Sequence, residues 1–165
     1  MARKDKHAAH GSTPATTVLV GAGITFTLHP YEHQDDNTDF GAEAVRAIGA
    51  DPARVFKTLV ADAGGRLVVA VVPVARQLDL KALAAVFDVK KATMADPAVA
   101  ARSTGYVVGG ISPIGQRHPL PTVVDSSAED FDTIFVSAGR RGLQVELAPA
   151  DLRTVTAARS VAVAH

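Results

Sequence analysis

The sharpest chemical question in the chain is Lys57, in the stretch VFKTLV (residues 55–60). In an extended strand Val55, Lys57, Leu59 and Ala61 share one face, and Phe56, Thr58 and Val60 the other. Both faces are apolar, so the ammonium has no evident wet side. An unpaired buried cation is costly, and burial depresses a lysine's pKa. Two readings stand at this point: a site lysine facing a ligand, or an edge-strand lysine that blocks aggregation or reaches past its neighbours to water.

Two glycine-rich segments raise related chemistry. In STGYVVGGISPIGQ (103–116), Gly109, Gly110, Ser112, Pro113 and Gly115 crowd one loop. Glycine permits positive φ and close approach of backbone to ligand, and exposed N–H groups in such a loop can hold an anion or a developing oxyanion. A tight connection would use the same residues. In FVSAGRRGLQVEL (135–147), Ser137 lies near a strand end and Arg140 and Arg141 can meet phosphates, although arginines in a hairpin turn are usually plain surface.

Three other motifs imitate sites and fail on context. TTVLVGAGITF (16–26) resembles the start of a dinucleotide-binding unit, but Phe26 stands where the third glycine belongs and the next segment reads as a strand. HPYEH (29–33) has the His-x-x-Glu-His spacing of a zinc peptidase, which works only on a helix. In a strand His29 and His33 lie roughly 13 Å apart, so hydrogen-bonded or surface histidines are expected and no metal. No Gly-x-Ser-x-Gly motif is present, and SAGRRG lacks the Lys-Ser/Thr ending of a phosphate loop.

The elements that must position these residues are mixed along the chain. Helices are expected from Pro14, capped by Ser12 or Thr13; from about Gly41; from near Asp79; from Pro97; and in APADLRTVTAA (148–158). Strands are expected at ITFTLHPY, on either side of a Gly64–Gly65 hairpin, in a short piece before Met94, and at TVVD, TIFVSAG and LQVELA. The order favours an α+β domain around a mixed or antiparallel sheet over repeated βαβ units.

With 165 residues the chain suits one domain that buries a real core. Residues 1–12 read as a flexible tail, without the apolar run of a signal peptide, and residues 13–165 as the domain. No apolar run nears the roughly 20 residues of a membrane span, so a cytoplasmic protein is expected. Zero net charge argues against a globally basic nucleic-acid binder. The absence of cysteine removes disulfides and thiolate catalysis by the protein itself.

In this order, HPYEH, DFGAEAVRAIG, VFKTLV, VAVVPVARQLDLKALA, MADPAVAARSTGYVVGGISPIGQ, LPTVVD and FVSAGRRGLQVELAPADL closely resemble the bacterial YbaK/EbsC family. Within it they are similar to the Cys-tRNA(Pro)/Cys-tRNA(Cys) deacylases, relatives of the editing domain inserted in bacterial prolyl-tRNA synthetases. The resemblance runs from about Pro14 to Ala158. It implies a mostly antiparallel, partly barrel-like central sheet flanked by helices, and a trans-editing enzyme that hydrolyses the ester joining a wrong amino acid to the tRNA 3′ end. It implies catalytic roles for Lys57, Gly109 and Gly110, and a substrate pocket drawn from Tyr31, Phe40, Thr58, Ile111, Ser112, Pro113, Ser137, Gly139 and Arg140. No metal or other cofactor is implied, and a transient complex with prolyl-tRNA synthetase is. In cysteine-editing members the substrate's own thiol is thought to attack its carbonyl carbon. Ala138, Arg140 and Gln144 depart from the family's usual glycine, lysine and acidic residue, the last of these bearing on preference near the amino group. Alternatives are a deacylase for another small residue such as alanine, or a non-catalytic module binding tRNA or nucleotide through Lys90, Lys91, Arg117, Arg140 and Arg141.

Overall fold

The structure is a computed structural model that describes residues 12–165. The expected tail, residues 1–12, lies outside the described residues except for Ser12. The chain opens with α1 (Pro14–Gly21), where Thr13 and Thr16 form a reciprocal capping box and Pro14 occupies the first turn. The VGAG segment ends this helix and does not open one, with Gly23 at φ 68°.

Next come β1 (Thr27–Pro30), shorter than the expected strand, and α2 (Phe40–Ile48). Asp39 caps α2, and Gly49 stops it at φ 72°. A hairpin of β2 (Phe56–Ala63) and β3 (Arg66–Pro73) turns at Gly64 and Gly65, both at positive φ. The order then runs α3 (Leu80–Val86), β4 (Ala92–Met94), α4 (Pro97–Thr104), β5 (Thr122–Asp125), β6 (Ile134–Arg140), β7 (Leu143–Leu147), α5 (Pro149–Thr156) and β8 (Arg159–Val161).

The strands form two sheets, of order β1-β7-β6 and β4-β2-β3-β5-β8. Pairing is antiparallel except for β3 with β5 and β5 with β8. The expected central sheet is therefore split, and its barrel-like character reduces to a parallel bridge between Val55 and Phe135, where one sheet touches the other without closing. β8 and the parallel contacts escaped the sequence reading because RSV carries no periodicity of its own. Asp125 holds that edge: its buried carboxylate accepts from the amides of Val163 (2.8 Å) and Ala164 (3.0 Å).

Phe56, Val60, Val69, Val71, Val136 and Val145 pack between the sheets, while Ala61, Val68, Ala70 and Val72 pack with Leu83 of α3. β2 is thus covered on both faces, as its alternation required. Among the described residues no helix is long and apolar enough to cross a membrane.

Candidate active site

A cavity of about 280 Å³ opens where the two sheets diverge, between α2 and the loop after α4. β2 supplies Lys57 and Thr58, α2 supplies Phe40 and Ala44, the loop supplies Gly109 and Ile111, and the β6–β7 hairpin supplies Ser137 and Gln144. Six of the twelve expected site residues therefore converge here: Lys57, Gly109, Phe40, Thr58, Ile111 and Ser137. Lys57 and Gly109 of the glycine loop, 52 positions apart in sequence, face one hollow.

Lys57 is half-buried and makes no hydrogen bond or ion pair with another described residue. Burial pushes its pKa below the ordinary 10.5, with the Asp39 carboxylate acting against that push. Its strand lies between β4 and β3 in the sheet order, but β4 pairs only with Ala61–Ala63, and Lys57 itself pairs with Val72 of β3.

The loop is held from three sides. Gly109, at φ 87°, lies so close to Phe40 that a Cβ there would meet the ring at 2.6 Å. A Cβ on Gly110 would strike the Arg140 backbone at 2.8 Å, and one on Gly115 would strike the Pro14 carbonyl at 2.7 Å. Only glycine allows these approaches. The Tyr106 hydroxyl donates to the Ile114 carbonyl (2.7 Å), and its burial pushes its pKa up to about 12. Arg141 donates from Nε to the Val108 carbonyl (2.9 Å) and lies over the Phe40 ring, 5.0 Å from its centroid.

The remaining expected residues do not line the cavity. The Gly110 N–H donates within the turn to Val107 (2.9 Å), so Gly109 and Ile111 are the better-placed amides. Ser112 is fully buried, its hydroxyl accepting from the Ile114 N–H at 3.2 Å, and Pro113 is buried beside it. Gly139 packs beneath Tyr106, and Arg140 is exposed at the register shift between β6 and β7. Tyr31 joins Ala44, Val55 and Phe135 next to the cavity. Burial raises its pKa above the ordinary 10.0, only partly opposed by the neighbouring Gln144 amide.

Gln144, noted in the sequence as a departure from the family's acidic residue but not counted among the expected site residues, lines the cavity. It pairs with Ser137 across the hairpin and with His29 across β1, so all three share a sheet face. The Gln144 Oε1 and Thr58 Oγ1 atoms are both buried without a hydrogen-bond partner among the described residues. Its departure from the family's acidic residue had marked the position, and its place opposite Ser137 across the hairpin puts it at the cavity.

The histidines of HPYEH serve two different carboxylates: His29 meets Glu146 at 2.9 Å and His33 meets Glu43 at 2.6 Å. Among the described residues no three His, Asp or Glu side chains gather as metal ligands would.

Comparison with known proteins adds a family to this geometry. Residues 36–155 match the model of the aminoacyl-tRNA editing domain. A protein of Enterococcus faecalis described as a candidate Cys-tRNA(Pro)/Cys-tRNA(Cys) deacylase, EbsC, is 40% identical over 129 residues, 76% of this chain and 78% of the relative. A crystal structure of a candidate trans-editing enzyme for prolyl-tRNA synthetase superposes with a TM-score of 0.77 at 20% identity, covering 94% of this chain and 99% of the other. The crystal structure of hypothetical protein APE2540 superposes with a TM-score of 0.82 at 23% identity, over 93% and 100% of the two chains. At these identities the two structural matches speak for the fold.

Proposed function

The chain belongs to the aminoacyl-tRNA editing family, within its YbaK/EbsC branch, and from that premise we propose that it is a trans-editing deacylase cleaving the ester of mischarged cysteinyl-tRNA(Pro). The observation that carries the reading is the unpaired Lys57 cation in one cavity with the Gly109–Ile111 turn and two buried, unsatisfied polar atoms. Such groups suit a small polar acyl ester whose charge develops as it breaks.

An aminoacyl ester is already activated, so positioning and oxyanion stabilisation can supply much of the acceleration. The substrate thiol, with a pKa of about 8.5, is partly thiolate near neutrality, and the Lys57 charge raises that fraction. The sulfur attacks the carbonyl carbon, and amides of the Gly109–Ile111 turn take the developing oxyanion. Collapse breaks the ester C–O bond and releases a cyclic thioester. The ribose oxygen recovers the proton that the sulfur lost. Lys57 also holds the terminal nucleotide, and Ser137, whose hydroxyl already accepts from the Gly139 N–H at 3.3 Å, orients the acyl group.

Zero net charge fits modest intrinsic affinity for tRNA, and a transient complex with prolyl-tRNA synthetase in the cytoplasm would deliver the substrate. Single-turnover assays with excess protein test the reading. Cysteinyl-tRNA(Pro) should be cleaved, and seryl-tRNA, lacking the thiol, far more slowly. Equal rates would require water or a protein nucleophile, and binding without ester loss would leave only a tRNA-binding module.

A further inference from the structure

We propose that Arg141 is a positioning residue of this site: by donating to the Val108 carbonyl it fixes which way the Val108–Gly109 peptide faces, and with it the Gly109 N–H that meets the developing oxyanion. The inference rests on the deacylase reading above and deepens it. Arg141 stands in the turn between Arg140 and Leu143, at the tip of the β6–β7 hairpin, and does not line the cavity. Its side chain is exposed and pairs with no carboxylate among the described residues. Its guanidinium goes instead to a neutral carbonyl, Nε to Val108 O at 2.9 Å, and to the face of the Phe40 ring, 5.0 Å from the centroid.

Val107 to Gly110 form a β-turn closed by the Gly110 N–H on the Val107 carbonyl at 2.9 Å. Gly109 sits at φ 87° and Val108 on the ordinary negative side, the combination that defines a type II turn. Flipping the central peptide, Val108–Gly109, converts type II to type I and keeps the closing bond, so that bond does not choose between them. Glycine accepts either sign of φ, and Gly109 has no side chain to resist the flip. The flip would reverse the Gly109 N–H, because the carbonyl and N–H of a trans peptide point opposite ways. That N–H has no acceptor among the described residues, and Gly109 lines the cavity. A contact that holds the Val108 carbonyl therefore keeps this donor aimed, and Arg141 Nε–H is the contact present. A cationic donor also polarises the peptide, which strengthens the N–H at its other end. Phe40 joins the parts: its ring carries the guanidinium and lies where a Cβ on Gly109 would meet it at 2.6 Å.

The test is cleavage of cysteinyl-tRNA(Pro) by Arg141→Ala and Arg141→Lys. Arg141→Ala should lower kcat about tenfold, with KM and its salt dependence unchanged. Millimolar methylguanidinium should restore part of the loss, and Arg141→Lys, which donates without the planar fork, should fall between. In isotope-labelled Arg141→Ala protein the Gly109 amide resonance should move while those of β2 and β3 stay in place. Arg141→Ala combined with Gly109→Ala should lose no more than Gly109→Ala alone, since both act through one peptide. A raised KM with kcat kept and a salt slope lower by about one would make Arg141 a phosphate contact and overturn the proposal. Unchanged kinetics in Arg141→Ala would overturn it too, since the turn would then hold itself. Should Arg141→Ala fail to fold, Arg141→Lys carries the same split of kcat against KM. Wild-type protein that cleaves no cysteinyl ester overturns the deacylase reading and this role with it.

Discussion

Gln144 and Glu146 stand two residues apart on one face of β7, and their surroundings are opposite. Glu146 meets His29 (2.9 Å) with one oxygen, and Arg54 (3.2 Å) and Thr133 (2.5 Å) with the other. Arg54 also lies over Phe135, 5.0 Å from the ring centroid. Burial pushes the Glu146 carboxyl up, but its bonds to Thr133 and His29 hold it below the usual range. Gln144, with Thr58 and Lys57 across the cavity, has polar atoms that face a hollow unmatched. The lesson is about closure. A polar cluster whose donors and acceptors consume one another is scaffold, and one left open at a cavity is built for something that arrives later.

The largest test of that contrast is Lys57→Ala. Deacylation should fall about 10²- to 10³-fold while the melting temperature stays level or rises, because an uncompensated cation has been removed. Full activity in the folded variant would break the contrast at its centre. Glu146→Ala should do the reverse: denaturant titration should show a loss of about 1–3 kcal/mol, with activity per folded molecule kept, since three donors lose their acceptor. If it abolished activity without loss of stability, the closed cluster would belong to the site.

Gly109→Ala sharpens the boundary between the two roles. Its Cβ would press on Phe40 at a positive φ, so about 1 kcal/mol of stability and about tenfold in rate should be lost together. Unchanged kinetics would remove this turn from the mechanism. The smallest effect concerns Glu43, behind Phe40. Burial raises its pKa, but the hydrogen bonds from His33 and the Gln34 amide more than offset this and hold it below the ordinary 4.5. A carboxylate depressed on folding contributes stability that is complete above the unfolded value and is lost as pH falls through the folded one. Glu43→Gln should therefore flatten the stability profile below pH 4.5. An unchanged acid limb would show that the His33 pair is not a stabilising one.

Much of the fold was legible because its punctuation is local. Thr13, Asp39, Asp79 and Asp96 cap helices through their own side chains, and Gly64–Gly65 turns the hairpin. Lys57 was visible as a cation out of place in an apolar alternation. The two-sheet split was not legible, since it depends on a single bridge from Val55 to Phe135. Gln144 was legible as a departure from the family's acidic residue, but not as an unpartnered acceptor, which depends on the neighbours it lacks.

By itself, then, the order of residues determined helices, turns and strand alternation, because caps, glycines and two-residue periodicity act within a few positions along the chain. Only the tertiary structure decided that Lys57, Thr58, Gly109 and Gln144 share one hollow, that Gly110 is engaged within its own turn, and that Ser112 is core. The reason is physical: satisfaction of a polar group is settled by long-range packing, and a vacancy has no letter in the sequence.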